Sequence, residues 1–93
     1  RLPRGLVPGG DLGLVPDLVG EVKSPSDRWG EVFAKIGEYL EAGVRVVVVA
    51  DAESMTVSLY RQWAVQEILR EGDTLTIPDV LPGFSVPVAR LFA

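Results

Sequence analysis

The sequence predicts an α/β fold, a mixed β-sheet with one main helix packed on it. Three observations carry this. Val44-Arg-Val-Val-Val-Val-Ala50 is short and almost wholly β-branched, as suits a strand buried on both faces. Residues 17–23 form a second short apolar run, halted by Pro25. Between the two, Trp29, Val32, Phe33, Ile36, Tyr39 and Leu40 recur at spacings of three and four, which draws one stripe along a helix. Strand, helix, strand is a βαβ unit, so the two strands should run parallel with a right-handed crossover.

Each element follows from local chemistry. In a strand over 17–23, side chains alternate between faces. Glu21 and Lys23 then share one face with Asp17 and Val19, while Leu18, Gly20 and Val22 take the other. The helix is expected over 27–42, with Ser26 or Asp27 as cap and Gly43 as its stop. Glu31, Lys35, Glu38 and Glu41 take its wet side, and Glu31 and Lys35 form a favourable i,i+4 pair. Asp51 to Ser54 make a turn. Residues 55–60 alternate and read as a strand antiparallel to 44–50, with Met55, Val57 and Leu59 on one face. The segment 63–70 fits helix or strand; the turn residues Glu71, Gly72 and Asp73 favour a hairpin with a strand at Leu75 and Ile77. Pro78, Pro82 and Gly83 mark a loop, Phe84 to Val86 a last short strand, and 87–92 a helical turn.

Composition narrows the chemistry. The chain has 93 residues, 47% hydrophobic and 24% charged, enough for one small packed domain. It has neither cysteine nor histidine. Disulfides, thiolate sites, zinc–histidine sites and histidine-based triads are therefore excluded together. Any catalysis must use carboxylates, lysine, arginine, hydroxyls and a hard, oxygen-bound metal. A net charge of −4 gives no general attraction to nucleic acid, although a local basic strip stays open. The longest apolar run, Val46 to Ala50, is too short to span a bilayer, and no signal peptide is visible. A cytoplasmic protein with no membrane partner is expected. The N-terminal RLPRGLVPGGDLGLVP is broken by four glycines and three prolines yet rich in leucine and valine. It reads as an ordered arm over residues 1–16.

The stretch PDLVGEVKSPSDRWGEVFAKIGEYLEAGVRVVVVADAESMTVSLYR resembles the Uma-two family, a bacterial family of the restriction-endonuclease-like, PD-(D/E)xK class. The later EGDTL and LPGFSVPVARLF fit the family's closing pattern, and the initial RLP resembles its linker. The resemblance covers residues 16–93. It implies a partial restriction-endonuclease-like core over 17–93, corresponding to the C-terminal part of the family domain, preceded by the 1–16 arm. It implies an endonuclease that hydrolyses DNA phosphodiesters with Mg²⁺ or Mn²⁺. Glu21 and Lys23 would be its E-x-K pair, Glu21 as metal ligand and Lys23 as water-orienting cation. Lys35 matches a lysine near the family's site and is an auxiliary candidate. The family's other acidic ligand normally lies on a preceding Pro-Asp strand, which these residues do not include.

Asp17 cannot stand in for that ligand. Four residues of strand separate it from Glu21 by roughly 13 Å, whereas a hard metal holds its oxygens at about 2–2.6 Å. Asp51 is better placed, because the C-terminal ends of parallel strands coincide. It is the second candidate metal ligand, although aspartate is also favoured simply to open a turn. Bland readings stand beside the others. Glu21 and Lys23 could be a same-face ion pair, Ser24 and Ser26 caps, Tyr39 core, Trp29 a helix anchor and Arg28 a solvated arginine or a phosphate contact. The rival to the enzyme is a catalytically inactive relic or a scaffold that forms homodimers through an open sheet edge.

Overall fold

A computed structural model describes residues 15–93, so the arm expected over 1–16 lies, except for its last two residues, outside them. The elements are β1 (Leu18–Lys23), α1 (Trp29–Glu41), β2 (Val46–Asp51), β3 (Thr56–Tyr60), β4 (Glu67–Leu69), β5 (Thr74–Ile77), β6 (Leu81–Pro87) and α2 (Val88–Leu91). One mixed sheet has the order β1-β2-β3-β4; β5 and β6 pair in a second, two-stranded sheet. As the βαβ pattern predicts, β1 and β2 are parallel, and β3 is antiparallel to β2.

The central strand β2 is buried along its whole length. Its alternating residues feed two separate cores. On one face, Val47 and Val49 meet Val19 of β1 and Val32 and Ile36 of α1. On the other, Val46 and Val48 join Val57 and Leu59 of β3 with Leu75, Ile77 and Val88 from the second sheet and α2. The sheet is thus sandwiched between the helix and the β5–β6 hairpin.

α1 ends as expected at Gly43, whose φ of +108° lies in the region that only glycine enters freely. The Gly43 N–H donates to the Leu40 carbonyl and the Val44 N–H to that of Tyr39, a Schellman closure. The start of the helix differs from expectation. Arg28 is the N-cap residue, and its N–H is met by the Glu31 carboxylate at 3.4 Å. Asp27 instead closes the preceding turn, its Oδ2 accepting the Ser24 N–H at 2.9 Å, and the Ser24 and Ser26 hydroxyls bond each other at 3.2 Å.

Two other expectations are overturned. The strand within 63–70 is confined to Glu67–Leu69 and pairs with β3, not with β5. β3 offers a longer and more deeply buried edge than the short β5. Trp63 lies outside any strand, almost fully exposed and at a φ of +62°. Pro82 and Gly83 fall inside β6 rather than in a loop. They are tolerated because β6 belongs to a two-stranded sheet whose register slips between Thr76 and Ile77, where a missing N–H costs no ladder bond.

Arg61, just after β3, ties the layers together. Its guanidinium donates to Glu67 Oε2 of β4 at 2.7 Å and, through two nitrogens, to Asp79 in the β5–β6 turn at 2.9 and 3.1 Å. Hydrogen bonding to Arg61 holds the Asp79 carboxyl below its ordinary range, and the same contact raises Arg61.

Candidate active site

The helix-side face of the sheet carries buried charges, whereas on the opposite face the charge of Glu67 is exposed on the edge strand β4. Glu21 and Lys23, brought to this face by the period of two in β1, are 5% and 7% exposed. Charged side chains are rarely buried to this degree without partners. Lys35 of α1 brings its Nζ to 3.4 Å from Glu21 Oε1, and Lys23 Nζ lies 3.5 Å from Glu53 Oε1 and 3.4 Å from the Ser24 carbonyl. Lys23 also sits 5.2 Å from the centre of the Trp29 ring. Two ion pairs of this face thus run Lys35 to Glu21 and Lys23 to Glu53. Lys35, read from the sequence as a wet-side residue paired with Glu31, turns instead toward the sheet.

The parallel register sets Lys23 opposite Asp51 and Glu21 opposite Val49. Asp51 is thus on the same face, diagonal to Glu21. One strand spacing and two residues of rise put their Cα atoms about 8 Å apart. The Asp51 carboxylate accepts the Glu53 N–H at 3.1 Å and the Ser54 hydroxyl at 3.0 Å, closing the turn after β2. Asp17 is exposed, and its backbone carbonyl accepts the N–H groups of Arg45 and Val46, so it serves the entry of β2.

Between β1 and α1 opens a cavity of about 240 Å³, walled by Glu21, Lys23, Asp27, Glu31 and Lys35 over a floor that includes Val32 and Val49. Asp51 stands outside this lining. Asp27 and Glu31 were not singled out from the sequence, although the signal was present. Glu31 and Lys35, four apart, line one side of α1, which here is the rim of the cavity, and Asp27 reaches the same rim from the turn before the helix. Among the described residues, no three acidic side chains converge as a ready metal cage.

The polar face extends across the sheet. Ser58 lies opposite Val49 and Thr56 opposite Asp51, with Tyr60 at the far end of β3. Burial pushes the Tyr60 phenol up from its usual value, against a smaller lowering by Ser58. Trp29 and Phe33 stack at 5.5 Å, and Phe33 meets Tyr60 edge-on at 6.1 Å. Trp29 is thus less an anchor in the core than one wall of an aromatic strip at the site's edge.

A mixed sheet with a helix across one face, and a buried glutamate and lysine two residues apart beneath that helix, defines an α/β protein with a charged site under its main helix. The fold is shared with a solved chain from Anabaena variabilis ATCC 29413, described as "a putative nuclease belonging to DUF820", with a TM-score of 0.75 at 22% identity. The match covers 85% of this chain and 45% of that one, so the present chain spans less than half of the longer protein. A family model, Uma2, described as "Putative restriction endonuclease", matches residues 2–89. The chain belongs to the Uma2 family. A comparison with curated proteins gave no match. No helix among the described residues is long and apolar enough to cross a membrane.

Proposed function

We propose that the chain carries part of the active site of a divalent-metal-dependent endonuclease that hydrolyses DNA phosphodiesters. The observation that carries this is the buried Glu21 and Lys23, side by side at the wall of a charged cavity, in a chain of this family. Structural cores seldom spend two buried charges where apolar residues would pack as well.

The donor set suits a hard cation. Glu21 presents carboxylate oxygens at the cavity, Asp27 and Glu31 share its wall, and Asp51 stands on the same sheet face. Mg²⁺ is commonly held through one or two carboxylates with water filling its other positions. Glu21 would hold the ion, with Asp51 the second candidate ligand from across the strand pair. When bound, Mg²⁺ or Mn²⁺ supplies a lowered water pKa and charge stabilisation at phosphate oxygens. Lys23, fixed between Glu53 and the Trp29 ring, would orient the attacking water or offset charge on the attacked phosphate. Lys35 would exchange its contact with Glu21 for a substrate phosphate, since its side chain is half exposed. A net-negative chain needs these two ammonium groups to bring a polyanion to the cavity.

Plasmid relaxation with Mg²⁺ or Mn²⁺ tests the reading. The wild type should nick the plasmid, and Glu21→Ala or removal of metal with a chelator should lower the rate at least about 100-fold, the scale set by loss of a transition-state electrostatic group. Equal rates in both proteins, or none in either across both metals, would overturn this reading of the site.

A further inference from the structure

Next to the cavity lies a second, larger opening of about 490 Å³, whose lining includes Trp29, Phe33 and Tyr60 as aromatic walls, Thr56 and Ser58 as a hydroxyl floor, and Arg70. The two openings share a wall, because Lys23 lines the first and lies against Trp29, which lines the second. Phe33 is 49% exposed although its helix neighbours Val32 and Ile36 are buried. The Arg70 guanidinium takes part in no ion pair among the described residues. Aromatic faces above hydroxyls, with a free cation and an adjoining ammonium group, suit a planar heterocycle on a phosphate chain. They suit the apolar face of a protein partner less well, because such a partner would bury the Arg70 guanidinium without matching it.

From this arrangement we infer that the Trp29–Phe33–Tyr60 strip is a stacking platform for unpaired DNA bases flanking the phosphate held at Glu21 and Lys23. The inference rests on the nuclease reading and adds a substrate preference to it. Bases inside a duplex already stack on each other, so the platform rewards single-stranded, frayed or flipped nucleotides. Arg70 takes the backbone on the far side of the strip, and Lys23 takes it on the near side.

Tryptophan fluorescence reads the platform directly. The chain has two tryptophans, and Trp63 is almost fully exposed and absent from the groove's lining. In a Trp63→Phe background, a short oligothymidylate should quench Trp29. Labelled-oligonucleotide anisotropy should show Phe33→Leu and Trp29→Leu weakening the single strand by about 5-fold or more, the loss expected for one stacked base. A duplex of equal length should change by less than about 2-fold, because its bases are not offered for stacking. Trp29→Phe, which keeps a π-face, should retain most of the affinity. Circular dichroism confirms that each variant is folded. Unchanged oligothymidylate affinity in folded Phe33→Leu overturns the platform. So does sedimentation showing a dimer that Phe33→Leu dissociates, since the groove's occupant is then a second copy. Glu21-dependent plasmid cleavage without the Phe33 effect removes the platform and leaves the nuclease reading standing. Quenching without cleavage does the reverse.

Discussion

The two faces of the four-stranded sheet are made by the same strands and differ by one residue in phase. The face toward β5, β6 and α2 is closed by Val46, Val48, Val57, Leu59, Leu75, Ile77 and Val88, every one of them apolar and buried. The face toward α1 begins the same way, with Val19, Val47 and Val49, then turns polar toward the strand ends, where Glu21, Lys23, Asp51 and Ser58 are buried as well. All four have partners: among the described residues, no buried side-chain nitrogen or oxygen lacks a hydrogen bond. One face is built to hold the fold, and the other gives part of its packing to buried charged groups. A domain of this size has little stability to spare, so the division is consequential.

Breaking the apolar face should have the largest effect. Leu59 is among the largest fully buried side chains, and Leu59→Ala removes it from a buried cluster that is entirely apolar. Urea unfolding should show a loss of about 3 kcal/mol. A loss under about 1 kcal/mol would mean that the face repacks, and that it is no more rigid than its polar counterpart.

The clamp between the layers comes next. Arg61→Ala removes three charge-assisted bonds, but the arginine is a quarter exposed and Glu67 more than half, so solvent screening limits the loss to about 1 kcal/mol at neutral pH. The pH dependence has a definite sign. Asp79 has a folded pKa lowered by Arg61, so its contribution is present above the ordinary aspartate value and disappears as pH falls through the folded one. Unfolding curves of wild type and variant should therefore converge in strong acid. A gap that persists there would show that Arg61 acts through packing instead.

The smallest effect on stability should come from the most consequential residue on the polar face. Glu21→Gln removes a buried charge and leaves Lys35, which is half exposed, free to hydrate. Stability should stay within about 1 kcal/mol of wild type or rise, because buried ion pairs rarely repay their desolvation. Plasmid cleavage should fall with it. A fall in stability of several kcal/mol would make Glu21 a structural residue and remove the contrast between the faces.

Much of this contrast was legible before any coordinates. The alternation in β1, the β-branched run of β2 and the stripe of α1 are periodic signals long enough to overrule local noise, and they place Glu21 and Lys23 on one face. The second sheet was harder to read. β6 contains Pro82 and Gly83, residues that argue against a strand in the middle of a sheet but not in a two-stranded one. The partner of β4 depended on which edge stood nearest in space, and turn residues at 71–73 do not report that. At the site, Asp51 was read from strand topology, and the register does put it beside the pair. Asp27 was read only as a cap and Glu31 only as half of an i,i+4 pair, because such spacing does not say whether a helix side meets solvent or a cavity. Lys35 was half read for the same reason.

The register of β1 against β2 gives the buried charges one more consequence. If β1 slid by a single residue, its side chains would exchange faces. Glu21 and Lys23 would then enter the valine- and leucine-lined side, away from Lys35 and Glu53, at a penalty of several kcal/mol for each uncompensated ion. The correct pairing has no such penalty. The two residues that burden the native state thus act as proofreaders of its assembly, making the misaligned sheet more costly than the aligned one. A chain with Leu in both places would pack more tightly in either register and distinguish less well between them.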